Sequence, residues 1–210
     1  MIDPDVEFFL RSHPEFEVLY NHFGVPGFLT PNLSFVTSSN DIFSSLVRTV
    51  VHQQLSGAVA SVFDKRIQEA ASGDVSPEKV LALSFEGLRA LGLSNSKSRS
   101  ILELAQKVSI GELDLIELVT LDEAAISSSL CGLYGFGPWS AQMFLLFDLG
   151  KRNVWAPADL GVRKGFRILY SLDDLPSIPE MTKHGERYSP LASLATWYLW
   201  RVLELPKSIS

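Results

Sequence analysis

The sequence predicts an all-α protein with no sheet domain. Apolar residues recur every three or four positions through most of the 210-residue chain, and no segment shows the strict alternation of a half-buried strand. Serine, proline and glycine residues stand where these periodic segments begin and end. The periodic segments predict about ten helices, or eleven at most. No long-period internal repeat is present.

The first sixty residues predict a short helix, a loop and the starts of two longer helices. Pro14 begins the first predicted helix and Gly24 ends it. Residues 24–39 are rich in proline and glycine and are predicted to form a loop that crosses between lobes. A strong helical pattern starts at Asp41, and Ser56 is predicted to cap the helix after it.

The middle of the chain continues the same pattern. Ser76-Pro77 predicts a helix start, Gly92 a turn, and Ser94 the start of the next helix. Thr120 with Glu123 has the spacing of a capping box and predicts the helix that leads to residue 130.

The segment after residue 130 carries the most specific pattern. Gly135-Phe136-Gly137 suits a hairpin whose backbone takes positive φ and approaches another molecule closely. Gly137 and Pro138 then have the residue types of an N-cap and first helical position, which predicts a helix over 139–149. The first N–H groups of that helix would form an anion site that fits a phosphodiester. A lone glycine pair more often marks an ordinary buried corner between helices.

An aspartate follows at a fixed distance. Asp159 lies 22 residues beyond Gly137, within Ala156-Pro157-Ala158-Asp159-Leu160-Gly161, and helical spacing begins at Leu160. Aspartate is a good N-cap, so capping alone would explain the residue. Beyond it, residues 171–189 are polar and predict a loop with a short helix, and the last helix carries residues 194–203.

Composition limits the class of protein. The chain is 46% hydrophobic and 20% charged, as in ordinary soluble globular proteins, and its longest apolar run falls short of a membrane span. Cys131 is the single cysteine, which excludes a disulfide framework and a four-cysteine metal or iron–sulfur site. The acidic, proline-broken N-terminus does not resemble a secretory signal. We expect an intracellular protein without a membrane partner.

The charge distribution bears on nucleic-acid binding. The net charge of −6 argues mildly against it, because non-specific affinity for DNA comes mostly from neutralised phosphates. However, five basic residues fall near the glycine hairpin and the aspartate in the sequence, and a local basic face is sufficient to dock DNA. Ordinary surface solvation is the alternative explanation for these residues, which are Lys151, Arg152, Arg163, Lys164 and Arg167.

The hairpin, Trp139-Ser140-Ala141 and Pro157-Ala158-Asp159 together resemble the helix-hairpin-helix DNA glycosylases of the HhH-GPD superfamily, above all the 3-methyladenine DNA glycosylase II (alkylation-repair) branch. The resemblance covers about residues 10–205. It implies a single glycosylase domain of two helical lobes, one from residues 1–40 and 155–210 and a central one from residues 41–154. It implies a monomer that acts on damaged double-stranded DNA.

The resemblance implies roles for the site residues. Asp159 corresponds to the catalytic aspartate of the family, which stabilises an oxocarbenium-like sugar or deprotonates the attacking water. Trp139 and Trp200 would line the base pocket, where an indole stacks well on a cationic N-alkylated purine. Met143 and Leu160 are weaker candidates for its wall, and either tryptophan is equally compatible with a core position.

The segment 51–56 resembles the family loop that enters the minor groove when a nucleotide is flipped. By position Gln54 is the wedge, and His52, which replaces the common glycine, is equally compatible with an ordinary helix-end histidine. The turn at residues 91–94, followed by Lys97, resembles a second phosphate-contacting element. The implied DNA contacts are His52, Gln53, Gln54, Ser56, Gly92, Ser94, Lys97, Gly135, Phe136, Gly137, Trp139 and Ser140.

One position bears on the type of reaction. Endonuclease-type relatives carry a hairpin lysine that forms a Schiff base and permits strand cleavage, and Trp139 occupies that position. We therefore expect release of alkylated purines, chiefly 3-methyladenine and 7-methylguanine, without lyase activity. The alternatives are a DNA-binding module that has lost its chemistry and a glycosylase for other damaged or mismatched bases.

The resemblance implies no cofactor other than a sodium or potassium ion, which the hairpin carbonyls of Leu130, Leu133 and Gly135 would hold. Two segments depart from the family pattern. Tyr134 replaces the hairpin proline, and residues 190–193 lack the aromatic residue and arginine that usually precede the last helix.

Overall fold

The structure is a computed structural model that describes residues 3–29 and 38–205. This part of the chain contains twelve α-helices and no strand, which confirms the predicted all-α class. The predicted loop over 24–39 lies partly outside the described residues.

Two helices form the described N-terminal segment. The helix α1, Pro4–Ser12, escaped the sequence analysis, although the Asp3 carboxylate accepts from the Asp5 N–H and a proline stands at the first position. A short 3₁₀ turn, Pro14–Phe16, leads into α2, Glu17–Phe23, which ends at Gly24 with φ +68° as predicted.

The other ten helices begin after the undescribed segment. Their bounds in chain order are α3 Ser39–His52, α4 Gly57–Ala70, α5 Pro77–Ala90, α6 Asn95–Ser109, α7 Leu115–Leu118, α8 Glu123–Cys131, α9 Pro138–Met143, α10 Leu160–Leu169, α11 Ile178–Gly185 and α12 Ala192–Val202. The predicted short helix within 171–189 is α11.

Helix caps explain most of these starts. Ser76 and Ser94 accept backbone N–H groups at the predicted N-caps of α5 and α6. The predicted capping box of Thr120 is wrong: Asp122 caps α8 by accepting from Ala125 N, while the Thr120 hydroxyl donates to the Glu117 carbonyl. The carboxylate stands directly before the helix, so its oxygen reaches the third helical N–H.

Two of the predicted helices are irregular. Ser84, with φ +64°, interrupts α5 and divides it into two helical segments. The helix predicted over 139–149 is α9 followed by a π-helical turn, Phe144–Asp148, which widens its last turn.

The chain divides into two compact units. Unit 1 contains residues 1–33 and 150–210, and unit 2 contains residues 34–149. The boundaries predicted from the sequence lie near residues 40 and 154, a few residues further along the chain.

Aromatic side chains fill the core of unit 1. Phe16 stacks on Tyr198 with ring centroids 5.8 Å apart and meets the edge of Tyr188 at 5.7 Å. Helices α10 and α12 cross at Gly165, where a Cβ atom would lie 1.8 Å from the carbonyl oxygen of Leu199. The glycine therefore sets how closely these two helices pack.

Helix α3 provides much of the core of unit 2. Phe43, Leu46 and Val50 recur along one face and are fully buried. Leu88 of α5 and Ile101 of α6 are also fully buried in this unit. Spacing at three and four positions is what the sequence pattern predicts for a helix packed in a core.

A buried histidine adds a polar contact to unit 1. His13 is 8% exposed, and its Nε2 atom lies 3.1 Å from the Arg187 carbonyl oxygen. Burial lowers the pKa of His13, and the nearby Arg187 guanidinium acts in the same direction, while Glu15 opposes them. The unfolded chain therefore binds a proton at a higher pH than the folded one.

We expect this histidine to make the fold sensitive to mild acid. Its contribution is complete above the unfolded pKa, about 6.5, and is lost as the pH falls below that value, by at most about 1.4 kcal/mol per pH unit. Thermal melts between pH 7.5 and 5 should show a smaller fall in Tm for His13→Gln than for the unaltered protein. Parallel curves for the two proteins would contradict this assignment.

Candidate functional site

The hairpin between α8 and α9 depends on one glycine. Gly135 takes φ +79°, and a Cβ atom there would lie 1.9 Å from the Ser100 hydroxyl oxygen of α6. A side chain at this position would therefore face both backbone strain and a direct clash. The hydrogen bond from Phe136 N to the Leu133 carbonyl closes the turn at 3.1 Å.

The second glycine has a different environment. Gly137 is the N-cap of α9 in extended conformation, and no atom lies within 4 Å of the place where a Cβ would stand. The first N–H groups of any helix lack intrahelical acceptors and point out of its N-terminus. A side chain at residue 137 would therefore stand in open space at the N-terminal end of α9.

Two of the predicted DNA contacts in the hairpin have buried side chains. Phe136 is 6% exposed and Ser140 is 2% exposed. The Ser140 hydroxyl accepts a hydrogen bond from the Gln53 side chain, Nε2 to Oγ, at 2.9 Å. These two side chains stabilise the hairpin from within, so DNA would meet only the backbone at both positions.

The loop after α3 is joined to this hairpin. Gln53 Nε2 donates to the Gly135 carbonyl at 2.8 Å as well as to Ser140, so its side chain faces inward. Gln54 is exposed and takes φ +57°, in the left-handed region that residues other than glycine rarely occupy. Ser56 stands at the N-cap of α4, but its side chain makes no capping hydrogen bond. Of these three residues, Gln54 alone has the strained conformation.

His52 has a carboxylate partner. Its Nε2 atom lies 2.6 Å from Oδ2 of Asp64 on α4, and both side chains are partly exposed. Asp64 was not among the predicted site residues, because no sequence motif distinguishes it from other residues of α4. This contact ties the end of α3 to α4.

Lys97 lies at the same loop, and its side chain is partly exposed. Its ammonium donates to the carbonyls of Val51 at 2.6 Å and Gln53 at 2.8 Å. Burial lowers the pKa of Lys97, while the Asp64 carboxylate acts in the opposite direction. The contact of Lys97 with a DNA phosphate stays a prediction.

The loop at residues 51–56 and the turn at residues 91–94 border one shallow cavity of about 240 Å³. Gly92 allows the turn at residues 91–94 to approach α4 closely, since it takes φ +99° and a Cβ atom there would lie 2.9 Å from the Phe63 ring. The Ser94 hydroxyl is used in capping, because it accepts from the Lys97 N–H. The lining residues are Gln53, Gln54, Leu55, Phe63, Gly92, Leu93, Ser94 and Lys97.

In unit 1, Asp159 is held by two donors. Its Oδ1 atom accepts from Val162 N at 2.8 Å, which caps α10, and from the indole Nε1 of Trp200 at 2.8 Å. Gly161 makes room for the ring, because a Cβ atom there would lie 2.7 Å from the Trp200 Cδ1 atom. The capping and positioning of this carboxylate are therefore fixed by the same few residues.

A family model describes the part of the chain that holds these features. The model of the HhH-GPD superfamily base excision DNA repair proteins matches residues 47–190. This range contains the loop at residues 51–56, the hairpin and Asp159. The chain belongs to the HhH-GPD superfamily.

Relatives in this superfamily share most of the chain. DNA-3-methyladenine glycosylase 1 of Schizosaccharomyces pombe is 29% identical over 178 residues, which are 83% of this chain and 77% of that protein. The Bacillus subtilis protein YfjP is 28% identical over 170 residues, 78% of this chain but only 59% of YfjP. The solved structure of S. pombe Mag1 with abasic DNA superposes with a TM-score of 0.83 at 27% identity and covers 96% of this chain and 97% of that one.

The other residues predicted to line the base pocket of this HhH-GPD protein are divided between the two units. In unit 2, Trp139 is partly exposed on α9 and Met143, four residues later, is buried on the same helix face. In unit 1, Leu160 is 51% exposed beside Asp159. That these residues line a base pocket stays a prediction.

The predicted basic cluster of unit 1 is partly neutralised. Arg152 pairs with Asp3 at 2.9 Å and with Asp5 at 3.2 Å. The Arg163 guanidinium Nε donates to the Pro176 carbonyl at 2.8 Å. These two guanidinium groups therefore stabilise unit 1, and the cluster supports DNA binding less strongly than its sequence suggests.

The carbonyl oxygens predicted to hold a monovalent cation already accept hydrogen bonds within the protein. Leu130 accepts from Leu133 N, Leu133 accepts from Phe136 N, and Gly135 accepts from Gln53. A carbonyl oxygen has two lone pairs, so these bonds are compatible with a cation. No group of three or more histidine, cysteine or acidic side chains suits a metal within the described residues. Nor does any helix among them have the length and apolarity to cross a membrane.

The environment of Gly137 yields a binding prediction. Gly137→Asp should fold, because aspartate is a favoured N-cap residue, but its charge should repel a phosphate at the N-terminus of α9. Affinity for a duplex with an abasic-site analogue should fall about tenfold or more, since a charge-assisted hydrogen bond contributes roughly 1.5–3 kcal/mol.

Gly137→Asn is the matched control, with the same shape and no charge, and should weaken binding much less. Fluorescence anisotropy with labelled duplex measures both variants. Equal affinity of Gly137→Asp and the unaltered protein would place the DNA contact elsewhere.

Proposed function

We propose that this protein is a monofunctional DNA glycosylase that releases alkylated purines, chiefly 3-methyladenine and 7-methylguanine, from duplex DNA. The observation that carries the proposal is the Asp159 carboxylate, held at the start of α10 by the Val162 amide and the Trp200 indole. Its place in the HhH-GPD pattern and the resemblance to 3-methyladenine glycosylases support it. We propose further that it acts as a monomer on damaged DNA inside the cell.

The chemistry follows from the charge of the substrate. The bond from the sugar C1′ to an N-alkylated purine breaks with its electron pair on the base, so the cationic base leaves neutral. Asp159 stabilises the positive charge that develops on the sugar. Water then adds to C1′ and loses a proton, to the carboxylate or to solvent, which leaves an abasic site.

The base must leave the stack before this step. We propose that Gln54 fills the gap in the duplex, while Trp139 and Trp200 stack on the flipped base. The indole of Trp200 would then both face the base and orient Asp159. The monovalent cation at the hairpin also stays a prediction, and the proposed reaction contains no step that requires it.

Strand cleavage is not expected, because Trp139 offers no amine at the position where lyase relatives carry lysine. Incubation with methylated duplex DNA should release free methylated bases and leave strands that break only after alkali. Release of other damaged bases alone would favour the second candidate function, a glycosylase of another branch. Binding without any base release would favour a non-catalytic module.

The role of Asp159 is tested by Asp159→Asn. The amide oxygen keeps an acceptor for Val162 N and Trp200 Nε1, so folding and DNA binding should survive. Base release should fall by at least about a hundredfold, the low end for removal of one preorganised electrostatic group. The loss should be smaller for 3-methyladenine or 7-methylguanine than for an uncharged lesion, whose leaving group is poorer.

Asp114→Asn is the matched control, since Asp114 caps α7 by accepting from Ile116 N and Glu117 N. This variant should release bases at the normal rate. Near-normal release by Asp159→Asn with an unchanged Tm would remove Asp159 from the reaction.

The proposed role of Gln54 as the wedge is tested by comparing excision of a paired and an unpaired base. Gln54→Ala should slow excision from fully paired duplex more than excision of a base that is already unpaired, because a wedge mainly offsets the free energy of unstacking. Single-turnover rates on the two substrates give the ratio directly. Equal losses on both would assign Gln54 another role.

A further inference from the structure

The end of α3 is held by a side chain from another helix. The last carbonyls of a helix lack intrahelical partners and lie at the negative end of its dipole. Lys97 of α6 donates to the Val51 carbonyl in the last turn of α3, at 2.6 Å, and to the carbonyl of the C-cap residue Gln53, at 2.8 Å. Its ammonium therefore acts as a C-terminal cap for α3.

The side chain of Gln53 is also held by hydrogen bonds. The Gln53 side chain donates to the Gly135 carbonyl and the Ser140 hydroxyl of the hairpin region. Both the main-chain carbonyl and the side-chain amide of Gln53 are thus fixed. Gln54, the next residue, has little freedom left at its N-terminal side.

Gln54 itself has a conformation that needs such support. A glutamine at φ +57° is strained, and a strained residue persists where its surroundings determine the backbone. Its side chain is exposed. The hydrogen bond from Leu55 N to the His52 carbonyl, at 3.3 Å, holds the following peptide.

We propose that Lys97 is a positioning residue that holds Gln54 in its left-handed, outward-facing conformation for insertion into the duplex, and is not a phosphate contact. This inference rests on the proposed function, in which Gln54 is the wedge. Without the ammonium, the backbone at Gln54 is free to relax and the wedge is no longer preorganised. Insertion into the duplex should weaken, while contacts to phosphates elsewhere persist.

The test separates insertion from phosphate binding and needs no base release. A duplex carries an abasic-site analogue with 2-aminopurine opposite it, whose fluorescence reports insertion into the stack. With saturating protein, Lys97→Met should reduce the fluorescence change at least about threefold, as should Gln54→Ala. The slope of log Kd against log salt should be that of the unaltered protein, because each lost phosphate contact changes this slope by about one.

Lys65→Met is the matched control for loss of a positive charge, since Lys65 lies on α4 with a 78% exposed side chain. This variant should give the full fluorescence change. If Lys97→Met does not fold, Gln53→Ala tests the other half of the support and should reduce the fluorescence change in the same way.

A salt slope smaller by about one with a normal fluorescence change would make Lys97 a phosphate contact and overturn the proposal. An unaltered protein that binds the duplex without a fluorescence change would also overturn it. A protein that gives the expected changes but releases no base would overturn the proposed function and leave this inference supported.

Discussion

The side-chain amide of Gln53 joins two chain segments that are 82 and 87 residues away from it in sequence, through the Gly135 carbonyl and the Ser140 hydroxyl. Ser140 is buried, so its hydroxyl needs a partner inside the protein. Gly135, whose carbonyl accepts one of these bonds, takes a positive φ and leaves no room for a side chain beside Ser100. The loop after α3 and the hairpin therefore keep their conformations together, and the strained backbone of Gln54 depends on both.

In unit 1 the Asp159 carboxylate likewise joins two parts of the structure through one group. One oxygen of Asp159 caps α10 and accepts from the indole of Trp200, and Gly161 leaves the space that the indole occupies. A hydrogen-bonded carboxylate needs less reorganisation when positive charge develops beside it. The residue that starts the helix and the residue suited to the chemistry are the same one, so the capping and catalytic explanations of Asp159 are compatible.

Local signals allowed most of the fold to be predicted. Ser76, Ser94 and Gly24 mark helix ends through short-range hydrogen bonds or a positive φ, and these are written in neighbouring residues. The partners within the site are different. Lys97 meets carbonyls 44 and 46 residues away, and Trp200 meets a carboxylate 41 residues away. No spacing rule predicts such pairs, because tertiary packing determines them.

Unit 1 is built from both ends of the chain, and this bears on the order of folding during synthesis. The Tyr198 hydroxyl donates to the Gly24 carbonyl, 174 residues away, and Arg152 meets Asp3 across 149 residues. Contacts of such long range form late, since the loop that they close must be ordered first. Unit 2 is continuous, so all of it is synthesised before the second part of unit 1. The aromatic residues of α1 and α2 therefore lack their partners while unit 2 is synthesised, and exposed apolar residues favour aggregation in that period.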